Sequence, residues 1–246
     1  MTPDDPHYIK AKGPLPELHT QPGDAAQAGL LVRVMQVVIR AIFRALFCIR
    51  VSGLDNLPGG PVIACSNHLS WADPFLVLLF FPIEPRTYAL ADHNAVGRTG
   101  FRAAMMRLLK VVVTVSPDSG YRALREMEDV LRRGGSLLIF PEGAPPPDVR
   151  EGEVRQLKCG AAHLAIMSGT PLVPIGIAGT SELWLGRRLA MRVGRPINPA
   201  DFTGTPRERA LALNDRLARD IAALVPSVKQ PGGPRLLRRW LKNLFA

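Results

Sequence analysis

Short apolar runs alternate with stretches of helical periodicity along most of the chain. Four runs have the length typical of buried strands, at residues 62–65, 111–114, 136–140 and 171–177. Helical patterns lie between or after them, at residues 121–132, 157–167 and 204–224. At 246 residues the chain can bury one substantial core. The alternation therefore predicts an α/β domain, residues 51–226, in which helices pack on a central sheet.

The segment before this domain begins with a proline-rich tail. Residues 1–28 contain five prolines and no periodicity, which indicates a disordered tail. Asp4 and Asp5 stand where a secretory signal is basic, so we do not expect a signal peptide. Within the domain, residues 144–153 are rich in proline and charge, and we expect a mobile loop there.

Residues 30–49 are almost continuously apolar, and their polar residues fall on one narrow stripe of a helix. The stripe consists of Arg33, Gln36, Arg40 and Arg44. A spanning helix would sink it into hydrocarbon, at about 2.5–3.5 kcal/mol per arginine near the bilayer centre. We therefore favour an amphipathic helix, residues 29–50, that lies in the membrane interface with its arginines at the headgroups. A helix docked on the protein core is the alternative.

The charge of the chain favours an anionic partner. Lysine and arginine number 31 against 21 acidic residues, for a formal net charge of +10. No nucleic-acid-binding pattern is apparent and aromatic residues are only 6%, so we rank nucleic acid last. The tail at residues 227–246 is basic and amphipathic, and we expect it to adhere to a lipid surface. A solvated helix end would give the same pattern.

The candidate chemistry directly follows the first predicted strand, in the sequence Asn67-His68-Leu69-Ser70-Trp71-Ala72-Asp73. An imidazole accepts a proton at one ring nitrogen when a carboxylate holds the other as a donor. Asp73 is suitably placed to hold His68, which could then deprotonate a hydroxyl that attacks an activated acyl group directly.

The spacing of this pair is weak support by itself. His19 and Asp24 repeat it inside the proline-rich tail, where no fold would orient them. The second copy differs in context, because it follows a buried strand and Pro74 could open a helix after it. The alternative is that His68 satisfies a core hydrogen bond and Asp73 caps the helix.

Two further blocks follow in order. Phe140-Pro141-Glu142-Gly143 ends one predicted strand, and Lys158 and Gly160 open an apolar helix before the strand at 171–177. Together the three blocks resemble the glycerolipid acyltransferase family, the bacterial 1-acylglycerol-3-phosphate acyltransferases and their relatives, from about residue 53 to 199. The resemblance implies a mixed central sheet flanked by helices, and O-acyltransferase activity.

The resemblance also implies roles for the matching residues. His68 would be the general base and Asp73 its orienting partner, while Asn67 and Ser70 would shape the substrate site. Glu142, Gly143 and Lys158 would contact the acceptor. The alternatives without a functional role are that Glu142 is a turn residue at the end of a strand and that Lys158 is a solvated charge in the first turn of a helix.

The chain departs from the family at two positions where the family usually has an arginine that binds phosphate. Ser116 and Pro145 occupy those two positions. Each lost charge-assisted contact typically costs about 1.5–3 kcal/mol, unless Lys110, Arg122 or Lys158 replaces it. We therefore hypothesise a lyso-lipid acceptor other than 1-acylglycerol-3-phosphate, with 1-acylglycerol-3-phosphate itself as the alternative.

The functional expectation is a peripheral membrane acyltransferase on the cytoplasmic face of the cell membrane. Its acyl donor would be an acyl-CoA or acyl carrier protein thioester, which carries its own activation, so we expect no metal or cofactor. Three cysteines without disulfide or metal-ligand spacing agree with a reducing compartment. The alternative is a non-catalytic lipid-binding or scaffolding protein on the same fold.

Overall fold

The computed structural model describes residues 28–92, 112–115, 120–144, 150–230 and 235–238. Five helices lie in these ranges, namely α1 (Leu30–Leu46), α2 (Asp73–Phe80), α3 (Gly120–Arg132), α4 (Gly160–Ser168) and α5 (Pro206–Leu224). Seven strands lie there, namely β1 (Cys48–Ser52), β2 (Ile63–Ser66), β3 (Thr87–Asp92), β4 (Val112–Val115), β5 (Ser136–Ile139), β6 (Leu172–Ala178) and β7 (Arg188–Val193).

The seven strands form one sheet in the order β1-β7-β6-β2-β5-β3-β4. Every neighbouring pair is parallel except β6 and β7, which run antiparallel. The predicted mixed α/β sheet is thereby confirmed. Because β6, β2, β5, β3 and β4 all point the same way, the loops that follow them meet along one side of the sheet, here called the carboxyl edge.

Each face of the sheet carries its own apolar core. Successive residues of a strand point to opposite faces, so Ile63 and Ala64 of β2 enter different cores. One core packs against α1 and α2, and the other against α3, α4 and α5. Strands β2, β5 and β6 are buried throughout, which explains their continuous apolar runs.

Close contact between α5 and β6 closes the second core. A methyl group at Gly176 of β6 would come within 2.3 Å of the backbone of Leu224, so glycine is required there. The helix begins where Thr205 and Glu208 form a reciprocal cap. The pattern at residues 204–224 thus predicted this helix to within two residues.

The N-terminal helix is shorter than its apolar pattern predicted. Helix α1 ends at Leu46, and the chain enters β1 at Cys48, whose N–H donates to the carbonyl of Arg187 at 2.9 Å. The apolar residues at the end of the predicted segment 29–50 therefore belong to the sheet. Apolar periodicity could not show this, because a short apolar run suits a helix end and a strand equally.

Gln36 and Arg40 of the polar stripe face the end of α2, whereas the sequence predicted that the whole stripe would lie at the lipid headgroups. Gln36 donates to the carbonyl of Leu78 at 2.9 Å, and Arg40 donates to that of Leu79 at 2.6 Å. These carbonyls belong to the last turn of α2, where intrahelical donors are missing. Arg33 pairs with Glu84. The opposite, apolar side of α1 is exposed. In the described part of the chain, no helix combines the length and apolar character needed to cross a bilayer.

Candidate active site

The turn between β2 and α2 places His68 and Asp73 in direct contact. Nδ1 of His68 lies 2.8 Å from Oδ2 of Asp73. Asp73 is the first residue of α2, where the helix dipole favours a negative charge. If Nδ1 carries the proton that this carboxylate accepts, Nε2 is left as a proton acceptor. No hydrogen bond within the described residues uses Nε2.

Asp73 also holds the turn itself. The same Oδ2 accepts the backbone N–H groups of Leu69 at 2.6 Å and Ser70 at 2.8 Å. The hydroxyl of Ser70 accepts the N–H of Ala72 at 3.1 Å, so Ser70 also stabilises the turn. The Asp73 side chain is fully buried, whereas that of His68 is 14% exposed. A fully buried carboxylate thus fixes a histidine that is still open to a small reactant.

Asn67 contacts the backbone of β6. Its amide nitrogen donates to the carbonyl of Ile177 at 3.0 Å, and its amide oxygen accepts the N–H of Ile177 at 2.7 Å. The residue is completely buried. Both ends of its amide bond β6, so Asn67 shapes the site through its contact with that strand. It positions the histidine beside it.

The loop after β5 supplies the wall next to the histidine. The ring of Phe140 stacks on the imidazole of His68, with centroids 4.1 Å apart and planes inclined by 22°. This contact arises because β5 and β2 are neighbours in the sheet and both end at the carboxyl edge. An aromatic wall keeps water away from one face of the base. The sequence placed Phe140 in an apolar run and at the start of the block Phe140-Pro141-Glu142-Gly143, but it did not predict that the ring would lie against His68.

Glu142 is buried, and it forms an ion pair that the sequence did not reveal. Its side chain is 1% exposed, and its Oε2 accepts Nε of Arg155 at 2.9 Å. Burial raises the pKa of Glu142, while the Arg155 guanidinium and the backbone N–H of His68 oppose that rise. The carboxylate therefore lies beside the candidate base and is balanced by a cation from a separate segment.

Gly143 and Lys158 lie together on the same side of the site. Gly143 has a φ of +80°, a left-handed conformation that favours glycine. A methyl group at Gly143 would lie 3.3 Å from Nζ of Lys158. The backbone N–H of Lys158 donates to the carbonyl of Pro141 at 2.9 Å. The predicted acceptor-side residues Glu142, Gly143 and Lys158 are thus brought together, and Arg155 joins them.

The segment from Arg150 to Cys159 is anchored at several points along its length. The Glu151 carboxylate accepts the N–H of Gly179 at 2.8 Å and Nη2 of Arg187 at 3.0 Å. Leu157 is buried in the core that α4 and α5 cover. Glu151 lies within residues 144–153, where we expect a mobile loop, and its carboxylate ties that residue to Gly179 and Arg187. Since Glu151 reaches the end of β6 and Arg155 the end of β5, this segment links the two strands that flank β2.

Some candidate residues lie outside the described part of the chain. These are Lys110, Ser116 and Pro145, together with the side chain of Arg122. Within the described residues, no group of three or more His, Cys, Asp or Glu side chains is placed to hold a metal ion.

Comparison with known proteins identifies the family. The model of the family described as Acyltransferase matches residues 48–178. The 1-acyl-sn-glycerol-3-phosphate acyltransferase of Bacillus subtilis (strain 168) is 27% identical over 188 residues, which cover 74% of this chain and 90% of that protein. A chloroplastic 1-acyl-sn-glycerol-3-phosphate acyltransferase of Arabidopsis thaliana is 29% identical over 137 residues, 55% of this chain, but the match spans only 37% of that protein.

A solved structure has the same fold. The crystal structure of the 1-acyl-sn-glycerophosphate acyltransferase of Thermotoga maritima superposes with a TM-score of 0.62 at 22% identity, over 80% of this chain and 81% of that one. The fold that carries the His68–Asp73 pair at its carboxyl edge is therefore a known acyltransferase fold. The chain belongs to the acyltransferase family, and within it to the glycerolipid O-acyltransferases.

Proposed function

We propose that this protein transfers a fatty acyl group from a thioester to the hydroxyl of a lysophospholipid or a related lyso-lipid. The observation that carries the proposal is the 2.8 Å contact between His68 and a fully buried Asp73. Relatives from bacteria and plants are named 1-acyl-sn-glycerol-3-phosphate acyltransferases, which supports a lyso-lipid acceptor. The donor would be an acyl-CoA or an acyl carrier protein thioester.

His68 acts as the general base in the proposed mechanism. Nε2 takes the proton of the acceptor hydroxyl as its oxygen attacks the thioester carbonyl carbon. Asp73 stabilises the imidazolium that forms. The carbon–sulfur bond then breaks, and the departing thiolate receives the proton from His68, so the products are the new ester and a free thiol. Phe140 limits water at the imidazole, which favours transfer over hydrolysis.

We further propose that the protein binds the cytoplasmic face of the cell membrane peripherally, through the exposed side of α1. Eleven large apolar side chains are exposed among the described residues, and six of them are on this helix, namely Leu30, Leu31, Val34, Val37, Val38 and Ile42. Such a concentration is typical of a surface that meets lipid or another protein.

Three more exposed apolar residues adjoin the end of α1. The N–H of Gly186 donates to the carbonyl of Leu46 at 2.7 Å, and that of Leu185 donates to Leu236 at 2.9 Å. Leu185, Leu236 and Leu237 are all exposed. The apolar surface therefore extends from α1 towards the carboxyl edge. This arrangement supports delivery of a lipid acceptor to His68 from the membrane.

Acyl transfer can be tested with purified protein. We expect transfer from a coenzyme A or acyl carrier protein thioester to at least one member of a panel of lyso-lipids. Mass spectrometry of membrane lipids after gene deletion should show a missing product or an accumulated lyso-lipid. Neither activity with any acceptor nor a change in lipids would instead support the non-catalytic scaffold.

Membrane attachment has its own test, in flotation with anionic vesicles. The variant Val34→Glu with Val38→Glu should lose binding, because two carboxylates would enter the lipid-facing side of α1. Leu211→Glu is a matched control, since Leu211 is a similarly exposed apolar residue on α5. Alkaline carbonate should release the wild-type protein at least partly. Equal binding by all variants, or release by detergent alone, would contradict peripheral attachment through α1.

A further inference from the structure

Strands β1 and β7, at one end of the sheet, present three arginines to solvent. Arg50 of β1 and both Arg188 and Arg192 of β7 are exposed. The register pairs Arg50 with Ala190, between the two arginines of β7, so the three side chains point to the same face of the sheet. The other face of β7 enters the core beneath α1 and α2 through Met191. Arg50, Arg188 and Arg192 are here called the arginine face.

Among the described residues, no helix covers the arginine face. Helix α5 lies on that side of the sheet but packs over β6 and β2, with Leu224 against Gly176. The chain after α5 then reaches β7, where Nη1 of Arg188 donates to the carbonyl of Lys229 at 2.9 Å. Lys229 is exposed and brings a fourth positive charge close to the face. The surface therefore remains open to a partner.

The arginine face also lacks compensating acidic groups. Within the described part of the chain, none of its three arginines forms an ion pair. Charged residues often protect an edge strand against pairing, but this explains only Arg50, because β7 is an interior strand with β1 and β6 on either side. Neighbouring cations without acids create a local positive field, which is typical of a surface that attracts an anionic partner.

The direction of the arginine face indicates a partner in the aqueous phase. Helix α1 packs in the core that contains Met191, so its exposed apolar side lies beyond the opposite face of the sheet. A flat bilayer in contact with α1 would not reach the arginines. Arg188 and Arg192 are four residues apart on one strand, a span of roughly 13 Å. That spacing suits a protein surface with several carboxylates better than a single small anion.

The arginine face extends to the edge of the sheet at which the candidate base lies. Arg188 begins β7, and because β7 runs antiparallel to β6, this residue lies at the carboxyl edge. Ile177, near the end of β6, bonds Asn67, the residue before His68. A protein docked on the arginine face would therefore be able to extend a thioester on a flexible arm towards His68.

We propose that the arginine face is the docking surface for an acidic acyl carrier protein, which presents its acyl thioester to His68. This inference rests on the proposed acyl-transfer function and assigns a binding surface to its protein donor. The acidic surface of the carrier complements the unpaired arginines. Such complementarity mainly raises the rate of association and the specificity for the partner, and both effects weaken as salt is added.

The test compares two donors that carry the same acyl group, an acyl carrier protein thioester and a coenzyme A thioester, with one lyso-lipid acceptor. We expect Arg50→Glu with Arg192→Glu to raise KM for the carrier-protein thioester about 10- to 100-fold, because attraction becomes repulsion. KM for the coenzyme A thioester and kcat with either donor should not change. Arg132→Glu with Arg216→Glu is the matched control, since it reverses two exposed arginines on α3 and α5 and changes the net charge equally.

A binding measurement separates docking from turnover. The dissociation constant of the carrier protein without an acyl group, measured by fluorescence anisotropy, should rise with ionic strength for the wild-type protein. It should rise about 10- to 100-fold in the double charge reversal at constant ionic strength. Arg50→Gln with Arg192→Gln removes the charges without reversing them and should weaken binding by a smaller factor. This milder variant keeps the test decisive if the reversal lowers stability.

Three results would overturn the inference. An equal rise in KM for both donors would mean that the arginines support the fold or bind coenzyme A. Unchanged KM and unchanged carrier binding would mean that no docking occurs there. Loss of vesicle flotation with normal carrier binding would place the face against lipid. Failure of the proposed function looks different, since the wild-type protein would then transfer no acyl group from either thioester.

Discussion

The turn from His68 to Asp73 and the region around Glu142, which we propose as the acceptor side of the site, are built in different ways. The turn joins His68 to Asp73 through contacts among neighbours no more than five residues apart. The acceptor side joins Glu142 to Arg155 across thirteen residues, and its supporting segment is anchored on the end of β6 through Glu151. The turn is recognisable as a sequence motif because its residues are close together in the chain. The pair of Glu142 and Arg155 is separated by a longer segment and forms no such motif.

This difference predicts how each region responds to change. The turn is held by three donors on one buried oxygen, so it should tolerate little substitution. The region around Glu142 is held by one ion pair, and a cation at a different position on a nearby segment could replace Arg155 in it. Chemistry should therefore be lost abruptly at the turn, and specificity should change gradually at the acceptor side.

The largest effect is expected for the base itself. His68→Ala should lower kcat by about 10²- to 10⁴-fold or more, because proton removal from the acceptor hydroxyl is lost. Circular dichroism and thermal melting should show an intact fold. His163→Ala is the matched control, since His163 is an exposed histidine on α4 that bonds the carbonyl of Cys159 at the start of that helix, and it should keep full activity. Near-wild-type turnover by folded His68→Ala would refute the mechanism.

The next effect concerns the partner carboxylate. Asp73→Asn keeps an oxygen for the turn but removes the charge that stabilises the imidazolium, so kcat should fall by about 10²- to 10³-fold with a smaller change in KM. Asp220→Asn, on the surface of α5, should leave both constants unchanged. If Asp73→Asn altered KM alone, the orienting role would be wrong.

A stability effect is expected at Asn67. Asn67→Ala would leave the N–H and the carbonyl of Ile177 buried without partners, at about 1–3 kcal/mol for each group. Chemical denaturation should show a lower midpoint with an unchanged slope. Asn198→Ala removes one exposed cap contact and should cost less. A normal midpoint together with lost activity would mean that Asn67 acts in catalysis directly.

The smallest effect concerns the pH dependence of stability. Since burial raises the pKa of Glu142, the folded protein holds this proton more tightly than the unfolded chain does. The contribution of Glu142 to stability is therefore highest at acid pH, below the pKa of a glutamate in the unfolded chain. It falls as the pH rises from that pKa to the higher pKa of Glu142 in the folded protein. In Glu142→Gln this fall should disappear. Denaturation midpoints of both proteins across that range would check the sign, and parallel curves would contradict it.

Much of the fold followed from the chain's apolar pattern. The runs ending at Cys65, Phe140 and Ile177 became the central parallel strands, because a strand covered on both faces needs apolar residues at every position. The acyltransferase family and its enzymatic class were also predicted correctly from the order of three blocks. The catalytic role of His68 stays a prediction, although the structure brings it against Asp73.

The apolar pattern of α1 did not predict which surface the polar stripe of the helix contacts. The spacing of Arg33, Gln36 and Arg40 correctly predicted one helical stripe, but its direction was wrong. Periodicity tells which residues share a face and not what that face meets. Gln36 and Arg40 donate to carbonyls at the end of α2, and these contacts form only because α1 packs on α2.

The sequence by itself determined four of the seven described strands, the helices that pack on them and the turn from His68 to Asp73, because each depends on residues that are near neighbours along the chain. Tertiary structure decided which side of α1 faces outward, how Asn67 bonds β6, and that Arg155 pairs with Glu142. Those contacts join segments that only the strand order brings together. The candidate base and its partner could therefore be predicted from one short block, whereas the pairing of Glu142 with Arg155 depended on how the sheet aligns the ends of β5, β2 and β6.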